Sequence, residues 1–464
     1  MNLRQKINND YILKQISETF DYQIYLVGGA VRDFLFNKEI FDRDLIVCDC
    51  EAGDFAQKLA KLFNATFVPL DEENKIYRVV MNDKINIIDV TNPINNSLSD
   101  DLARRDLTIN AVAVDLHNGE IIDPQKGIID FENRQIKHIS EQNFIDDPLR
   151  LLRVFRFQAC TGFELSSELL PIIKKHCDLI CLPARERVLY EIMKMFDGEY
   201  VHLALIKMDE ACLLDKIFPF VAELKLVPKN SHHHLDLFDH SIETVKQISN
   251  LFYNSSEQIR QHLNSIDFGG FSRISHLRFA GFLHDIGKYS TWTIENERHR
   301  FIKHDDVGSK IANDLLKKMS FSNKQIVYLT NMIKFHIYPS QVMASEDVTE
   351  KIMMRYIRKR DADSIDNILL AMADRLSARG PEITQEMIEK NLTGLRKLLE
   401  FYLDKGKTLQ PLPKLLDGND IMKLLNIKPS PLLGEILEAL HEAQLDGNVT
   451  CQSEAVNFVK NYKL

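Results

Sequence analysis

Two carboxylates near the N-terminus, Asp42 and Asp44, have a spacing that suits phosphate chemistry. They begin an apolar run, and alternation along a strand would place residues two apart on one face. Like charges side by side repel each other unless a cation lies between them. Oxygen ligands suit Mg²⁺, which often shares its coordination shell with substrate phosphates. The pair therefore predicts a magnesium-binding strand beside a phosphate-bearing ligand.

Two glycines, Gly28 and Gly29, precede this pair and follow another apolar run, residues 25–27. Glycine leaves the backbone bare, so its N–H groups can approach a triphosphate closely. Residues 30–35 are predicted to begin a short helix before the aspartate strand. Each motif alone is weak, because most glycine pairs are plain turns and many Asp-x-Asp pairs are solvated loops. In this order they predict a nucleotide–metal site.

The elements around these motifs alternate between helix and strand. Asp89 lies in the last of the predicted strands, where it is either a third acidic ligand or a solvent-facing residue. The predictions are helices over 1–24 and 54–63, strands over 66–70, 77–81 and 86–90, and a turn-rich hairpin over 118–131.

Two arginine-rich segments follow. In the first, Arg105 and Asp106 precede Asn110, and a guanidinium fork matches triphosphate oxygens, although an arginine pair is more often a surface feature. In the second, residues 146–159, apolar positions recur at helical spacing, with Asp147 suited to the N-cap and Pro148 to the first helical position. Taken alone, this segment is an amphipathic helix with a basic stripe.

Length and composition limit the class of protein. The 464 residues are too many for one hydrophobic core, so we expect about three or four domains. A net charge of −9 argues against a general polyanion-binding surface, so RNA binding would need local basic patches. The seven cysteines lack the spacing of a zinc site or a disulfide framework. Because no apolar run has the roughly 18 residues of a membrane span and no signal peptide is evident, we expect a cytoplasmic protein without a membrane partner.

Taken together, these motifs resemble those of the class II tRNA nucleotidyltransferases, which comprise CCA-adding enzymes and bacterial poly(A) polymerases. The resemblance covers nearly the whole chain and is most specific in the first 160 residues. It implies an α+β protein with a polymerase β-like nucleotidyltransferase head, a mainly helical neck, an HD domain and a C-terminal tail. The implied boundaries are 1–140 for the head, 141–228 for the neck and RNA-binding domain, 229–395 for the HD domain and 396–464 for the helical tail.

The resemblance also implies roles for individual residues. Asp147 and Arg150 would recognise the edge of the base, since a carboxylate accepts from the amino group shared by A and C and would exclude G and U. Asp146 stands where the family more often has Glu. The catalytic and Mg²⁺-binding residues would be Asp42 and Asp44, and the nucleotide-binding residues would be Gly28, Gly29, Arg32, Arg105, Asp106, Asn110, Asp147, Arg150, Arg153 and Arg156.

Later segments complete the resemblance. The helix 184–196 matches a family motif through Glu186, Arg187 and Glu191. In the tail we expect a helix, a turn at Asp417-Gly418 and two more helices, one of them beginning at Gly434.

Adjacent His284 and Asp285 resemble the signature of HD phosphohydrolases. Such a site would take a transition metal such as Ni²⁺ or Mn²⁺, or Mg²⁺ more weakly, and could activate water. Whether the domain is active or degenerate stays open, and His232–His234 are either a metal clasp or, more commonly, plain loop residues. The implied metal ligands are His240, His284, Asp285 and Asp374, with His304 and His336 in the positions of extra ligands.

The expected function is template-independent addition of C and/or A to the 3′ end of tRNA from CTP and ATP. The enzyme would contact the 3′ end and acceptor arm, and no protein partner is implied. The connection over 90–100 is short where CCA-adding members commonly have a longer loop, which leaves CC-adding or A-adding specialisation open. A poly(A) polymerase, or an HD phosphohydrolase whose head only binds nucleotide or RNA, remain as alternatives.

Overall fold

The computed structural model describes residues 3–230, 234–296, 298–345, 347–406 and 412–462, so His232 and His233 of the predicted loop lie outside the described residues. The chain divides into two compact units, Met1–Pro219 and Phe220–Leu464. All seven cysteines are free thiols. Over the described ranges, no helix combines the length and the apolar character needed to span a membrane.

The first unit begins with a region of mixed helices and strands and continues with helices alone. Its strands are β1 (Ile24–Val27), β2 (Asp42–Val47), β3 (Thr66–Asp71), β4 (Ile76–Val80), β5 (Ile87–Thr91), β6 (Ala113–Asp115), β7 (Ile121–Ile122), β8 (Gln135–Ile136) and β9 (Glu164–Leu165). Its helices are α1 (Leu3–Asn9), α2 (Tyr11–Thr19), α3 (Gly29–Leu35), α4 (Ala52–Leu62), α5 (Leu98–Ala103), α6 (Gly127–Glu132), α7 (Glu141–Asp146), α8 (Leu149–Thr161), α9 (Leu169–His176), α10 (Arg185–Asp197), α11 (Val201–Glu210) and α12 (Leu214–Ile217).

Seven strands form one mixed sheet in the order β3-β4-β5-β2-β1-β6-β7. Strands β2 and β5 are parallel, and the register places Asp44 beside Asp89. Strand β1 is antiparallel to β2, with Val27 opposite Asp44. The end of β1, the middle of β2 and the middle of β5 therefore meet at one place on the sheet.

The two faces of the sheet bury different side chains. Leu26 and Leu45 point towards a large core shared with helices α1–α4. Val27 and Ile46 point the other way, into a smaller apolar cluster that includes Leu102. Because side chains alternate along a strand, Asp42 and Asp44 share the face of Ile46, and Arg43 shares the face of Leu45.

Three local features of this unit differ from the sequence prediction, and other predicted elements, such as the helix 54–63 (α4, Ala52–Leu62), differ by one or two residues at their ends. The predicted hairpin over 118–131 is wrong in its second arm, which is helix α6, because the Asp123 carboxylate accepts from the N–H groups of Gly127 at 2.7 Å and Ile128 at 2.9 Å and caps that helix. The N-terminal segment is two helices, because Asp10 caps α2 by accepting from Leu13 N–H at 2.9 Å.

The third difference concerns the start of α8. The helix begins at Leu149, one residue later than predicted, after a break that separates it from α7. Asp147 still accepts from the Leu149 N–H, at 3.4 Å, as a capping residue would. The break leaves the Asp147 side chain at the junction of two helices.

The second unit is mainly helical, with one hairpin formed by β10 (Trp292–Glu295) and β11 (Arg298–Phe301). Its helices are α13 (Val221–Leu224), α14 (Leu237–Tyr253), α15 (Glu257–Asn264), α16 (Arg273–Leu283), α17 (Lys288–Thr291), α18 (His304–Lys318), α19 (Asn323–Lys334), α20 (Tyr338–Met343), α21 (Glu350–Arg360), α22 (Ser364–Ser377), α23 (Gln385–Lys405), α24 (Gly418–Leu425), α25 (Pro431–Leu445) and α26 (Gln452–Lys460).

The tail departs from its prediction in two details. Asp417-Gly418 is the beginning of α24 and not a turn between helices, because Asp417 and Asp420 form a reciprocal capping box. Three helices follow this point where two were predicted, and Gly434 is the fourth residue of α25 and not its first. These helices share a small core of their own, which includes Ile421 and Ile436.

Candidate functional site

The predicted head residues line one open cleft of about 970 Å³ in the first unit. Its walls come from β2, β4, β5, α3, α8 and α10, from the glycine turn that follows β1 and from the segment after α5. All the nucleotide-binding and catalytic candidates border it: Gly28, Gly29, Arg32, Asp42, Asp44, Arg105, Asp106, Asn110, Asp147, Arg150, Arg153 and Arg156.

At Gly28 the backbone passes close to both a guanidinium group and a carboxylate. Its φ is +70°, which side chains rarely tolerate. A Cβ at this position would lie 2.9 Å from a guanidinium nitrogen of Arg105 and 3.0 Å from a carboxylate oxygen of Asp44. The glycine therefore lets β1 turn sharply into α3 directly beside these two groups.

The carboxylates of Asp42 and Asp44 lie on the cleft face of β2. Burial is the main reason why the pKa of Asp44 is raised to about 6; Arg105 lowers this pKa, and the carboxylates of Asp89 and Asp42 raise it. A carboxylate with a raised pKa lacks sufficient positive charge around it. The carboxylates of Asp42 and Asp44 supply the oxygen donors that a hard divalent cation prefers, and they would hold it.

Asp89 also lines the cleft, but an arginine already binds it. Arg78 on β4 donates from Nε and Nη2 to the two oxygens of Asp89, both at 2.8 Å. The carboxylate is thus not freely solvated, but each of its oxygens keeps a lone pair beside the one that Arg78 occupies, so Asp89 as a third acidic ligand stays a prediction. Arg78 is not among the residues predicted from the sequence, where its only signal is one charged residue in an apolar strand.

A hydrogen-bonded network joins the glycine turn to the arginine motif. Arg32 Nη1 donates to Asn110 Oδ1 at 2.9 Å, and Asn110 Nδ2 donates to Asp106 Oδ1 at 3.0 Å. Arg153 Nε donates to the other oxygen of Asp106 at 2.7 Å. Burial alone would raise the pKa of Asp106, but Arg153 and Asn110 hold that pKa below its ordinary value. Asp106 therefore stays charged and fixes two cleft residues, Asn110 and Arg153, and through Asn110 it is linked to Arg32.

Three guanidinium groups surround one buried ring, Phe157. Arg32, Arg153 and Arg156 place their Cζ atoms 4.8, 5.5 and 4.5 Å from its centroid. Glu191 on α10 lies 3.1 Å from Arg156 and 3.5 Å from Arg153 and is the buried carboxylate that holds them together. Phe157 was not among the site residues predicted from the sequence, because there it resembles any apolar residue at helical spacing. The result is a wall that is rich in positive charge.

The pair proposed for base recognition lies at the junction of α7 and α8. The guanidinium of Arg150 is fixed by Nη1, which donates to the carbonyls of Arg104 at 2.7 Å and Asn143 at 3.0 Å. Asp147 accepts from Arg187 at 3.2 Å and lies 4.0 Å from Arg150. Both side chains border the cleft. Arg187, which the sequence placed in a later motif, is thus a partner of Asp147.

The second unit contains a separate cluster of metal-ligating residues. The four predicted ligands and the two extra histidines form two groups, each with ligand atoms within 4.8 Å of one another: His240, His284 and Asp374, and Asp285, His304 and His336.

Asp285 joins the two groups. One of its oxygens is 3.1 Å from His284 Nε2, and the other is 3.4 Å from His304 Nε2. Burial, with the nearby His284 adding to it, lowers the pKa of His336 to about 4, so this imidazole is neutral and able to coordinate a metal. Imidazole and carboxylate donors in this arrangement fit a pair of transition-metal ions.

Three segments of the chain match known domain families. Residues 24–137 match the Poly A polymerase head domain, residues 162–225 match the probable RNA and SrmB-binding site of polymerase A, and residues 237–379 match the HD domain. These matches agree with the predicted nucleotidyltransferase head and HD domain.

Curated relatives align over most of the chain. An A-adding tRNA nucleotidyltransferase from Deinococcus radiodurans is 30% identical over 449 residues, which is 94% of this chain and 95% of the relative. A CC-adding tRNA nucleotidyltransferase from Thermus thermophilus is 29% identical, covering 93% of this chain and 92% of the relative. A multifunctional CCA protein from Haemophilus influenzae is 32% identical over 70% of this chain and 78% of the relative.

Solved structures share the fold. A tRNA nucleotidyltransferase complexed with a primer tRNA and an incoming ATP analog matches with a TM-score of 0.58 and 20% identity, over 84% of this chain and 99% of that one. A CCA-adding enzyme with CTP matches with a TM-score of 0.57 and 18% identity, over 99% of this chain and 97% of that one.

The predicted fold is therefore confirmed, with a polymerase-type head and an HD domain in one α+β protein. The chain is a nucleotidyltransferase, and both kinds of domain imply dependence on divalent metal ions. Since it is 30% identical to a relative that it covers over 95% of its length, this chain belongs to the tRNA nucleotidyltransferase family.

Proposed function

We propose that this enzyme adds C and/or A residues, without a nucleic-acid template, to the 3′ end of tRNA from CTP and ATP. The observation that supports this most strongly is the single cleft in which the carboxylate pair, the arginine wall and the Asp147–Arg150 pair meet. The names of the relatives point to the same substrates, since they describe A-adding, CC-adding and full CCA activity.

In the proposed reaction, the 3′-hydroxyl of the RNA attacks the α-phosphate of the incoming nucleotide. As that oxygen bonds to the α-phosphorus, the hydroxyl proton passes to solvent, the bond between the α-phosphorus and the oxygen bridging to the β-phosphate breaks, and pyrophosphate leaves. Mg²⁺, held by Asp42 and Asp44, would supply charge stabilisation at the α-phosphate. The protein contributes position and fixed positive charge.

The cleft residues divide this work by location. The backbone at Gly28 and Gly29 is bare enough to approach the phosphates, beside Arg105. Asp106 keeps Asn110 and Arg153 in place and so orients the groups that face the ribose and triphosphate. Four guanidinium groups then share the negative charge of the phosphates: Arg32, Arg105, Arg153 and Arg156.

Base choice would come from hydrogen bonding at the junction of α7 and α8. Asp147 would accept from the amino group that cytosine and adenine share, and Arg150 would donate to the adjacent ring nitrogen. The backbone carbonyls that hold Arg150 fix its direction before any nucleotide binds. Guanine and uracil present an oxygen to Asp147, which leaves two acceptors facing each other and excludes those bases.

Replacing both strand carboxylates tests the head as the catalyst. In the variant Asp42→Ala/Asp44→Ala, incorporation of labelled CTP and ATP into tRNA lacking its terminal residues should fall to background, because no oxygen pair remains to hold the cation. Thermal melting would establish that the variant is folded. Incorporation at a normal rate by this variant would show that the head is not the catalyst.

The number and order of residues added depend on a short segment. The connection between Asp89 and the arginine motif is only residues 90–100, and the structure fills part of it with a 3₁₀ turn, Ile94–Asn96, and α5. Products formed from CTP alone, ATP alone and both would distinguish CC-adding, A-adding and full CCA activity. Long A tracts on generic RNA would identify a poly(A) polymerase.

The cluster in the second unit favours a second activity, metal-dependent phosphoester hydrolysis. Six buried or partly buried ligands around Asp285 support one or two ions such as Ni²⁺ or Mn²⁺, which could activate a water molecule. His284→Ala/Asp285→Ala should remove phosphatase activity on nucleotide substrates and spare nucleotide incorporation. Phosphatase activity that persists in this variant would contradict the assignment.

The four-domain division predicted from the sequence is kept as part of this proposal. The head (1–140) would bind the nucleotide, the neck (141–228) and the tail (396–464) would contact the acceptor arm and adjoining tRNA, and 229–395 would form the HD domain. We propose a cytoplasmic location, where such an enzyme would find its tRNA, and no protein partner is required.

A further inference from the structure

Arg43 lies between the two strand carboxylates, and its side chain extends to the opposite face of β2, where the residue is 4% exposed. Its guanidinium group forms a bidentate pair with Asp10, with Nε–Oδ1 at 3.2 Å and Nη2–Oδ2 at 2.7 Å. Nη1 also donates to Asn86 Oδ1 at 2.8 Å. One side chain thus joins β2 to the N-terminal helices and to the residue that precedes β5.

The same guanidinium group fixes the backbone just before the first catalytic aspartate. It donates to the carbonyls of Ile40 at 3.2 Å and Phe41 at 3.3 Å. The Phe41 carbonyl also accepts from the Ile87 N–H of β5 at 2.8 Å. Asp42 is the exposed first residue of β2, so its position depends on this preceding backbone.

Stabilisation of the fold is by itself a weak explanation for the buried Arg43–Asp10 pair. The cost of removing two charges from water offsets much of their attraction, and an apolar pair of similar volume often stabilises a fold equally well. What the guanidinium fork provides is fixed geometry, because five donors in one plane define the directions of their acceptors. Here those acceptors belong to three separate segments of the head.

We propose that Arg43 is a positioning residue for the metal-binding carboxylates. Through the pair of Asp10 with Arg43, the N-terminal helices also help to hold those carboxylates in place. The proposal rests on the proposed function of the cleft. Loss of the Arg43 fork should affect the metal site selectively, because the arginines assigned to the nucleotide are on other elements, Arg32 on α3 and Arg153 on α8. Loss of the Arg43 fork should weaken metal binding and turnover and leave nucleotide affinity nearly unchanged.

The test compares Arg43→Met and Arg43→Lys with the wild type in the full-length enzyme. For Arg43→Met, we expect the half-saturating Mg²⁺ concentration for incorporation to rise about tenfold, which is about 1.4 kcal/mol, while KM for CTP stays within about twofold. Arg43→Lys keeps the charge but not the fork and should give a smaller rise. Because Arg43→Lys is the milder change, it keeps the test decisive if Arg43→Met does not fold.

A second measurement is independent of activity. In metal-free protein, amide hydrogen exchange over residues 40–44 should be faster in Arg43→Met than in the wild type, because the two carbonyl contacts are lost. Arg273→Met is the matched control, since it removes a buried arginine that pairs with Asp366 at 3.1 Å and Asp363 at 2.7 Å in the second unit. It should lower the melting temperature without changing the Mg²⁺ requirement.

The proposal is overturned if Arg43→Met lowers only the melting temperature and leaves both the Mg²⁺ requirement and the exchange over 40–44 as in the wild type. Failure of the proposed function looks different. In that case, Asp42→Ala/Asp44→Ala would retain incorporation, and the hydrogen exchange would still report whether Arg43 holds the backbone before Asp42.

Discussion

At the scale of single residues, Asp44 shows how a site is built at the expense of stability. Its partly buried carboxylate is close enough to Arg105, Asp42 and Asp89 for all three to shift its pKa. The raised pKa means that the folded protein resists ionising this group. A bound cation would favour the ionised carboxylate, so ionised Asp44 lowers the stability of the fold only in the metal-free protein.

Asp44→Asn should therefore stabilise the metal-free enzyme at neutral pH. The folded-state pKa of about 6 lies above the ordinary value of 3.8, so ionised Asp44 costs stability, and this cost grows as the pH rises from about 4 to 6. In EDTA at pH 7.5, the variant should gain about 1–3 kcal/mol. The gain should vanish near pH 4, where Asp44 is protonated. Thermal unfolding at both pH values checks this, and a lower melting temperature at pH 7.5 would contradict it.

Asp147 is a second single residue with a large proposed effect, because its carboxylate would select C and A over G and U. An amide at this position could accept from an amino group or donate to a carbonyl, so Asp147→Asn should relax the exclusion of U. We expect the ratio of CTP to UTP incorporation efficiency to fall by about 10- to 100-fold. Asp146→Asn is the matched control, since Asp146 accepts from Gln142 at 2.8 Å and is exposed. An unchanged ratio in Asp147→Asn would remove Asp147 from base recognition.

At the scale of elements, the turn from β1 into α3 leaves no room for a side chain. Three separate parts of the chain meet at Gly28, where the backbone has a positive φ and a Cβ would displace Arg105 and Asp44. The order strand, glycine pair, helix is thus required by geometry.

Gly28→Ala should reduce incorporation by at least about tenfold, since strain of about 1–2 kcal/mol in the left-handed region adds to the displacement of two cleft residues. Gly270→Ala is the control, because Gly270 has a φ of +81° with no heavy atom within 4 Å of an added Cβ. It should show the backbone cost in its melting temperature and normal incorporation. Equal incorporation by the two variants would contradict a role for close approach at Gly28.

Local patterns in the sequence predict these elements well. The strand–glycine–helix order, the alternation of Asp42 and Asp44, and the helix with Arg150 and Arg153 all depend on near neighbours in the chain. The second arm of the 118–131 hairpin was wrong because Asp123 caps a helix four residues later, which propensity does not show. Roles of the cleft residues stay predictions.

Contacts between segments that are distant in the chain could not be predicted from the sequence. Arg78 meets Asp89 only because the sheet order sets β4 beside β5, and Arg43 meets Asp10 across 33 positions of the chain. A charged residue within a strand has no local signal for its partner, since register and strand order decide it. The candidate site could therefore be predicted as a set of residues, but not as a network.

At the scale of the whole molecule, an acidic protein is proposed to bind RNA. The net charge of −9 leaves no general attraction for a polyanion, so RNA binding must rely on local basic surfaces. This favours recognition of a defined RNA end over non-specific binding. It also agrees with the relatives, whose names describe addition to tRNA.

The most direct test is to sequence the RNA 3′ ends formed when tRNA lacking its terminal residues is incubated with all four nucleoside triphosphates and Mg²⁺. We predict that the wild-type enzyme adds only C and A, in a short defined extension, and that Asp42→Ala/Asp44→Ala adds nothing. Extension by G or U at comparable frequency, or any extension by the double variant, would contradict the proposal that this cleft selects the base and performs the transfer.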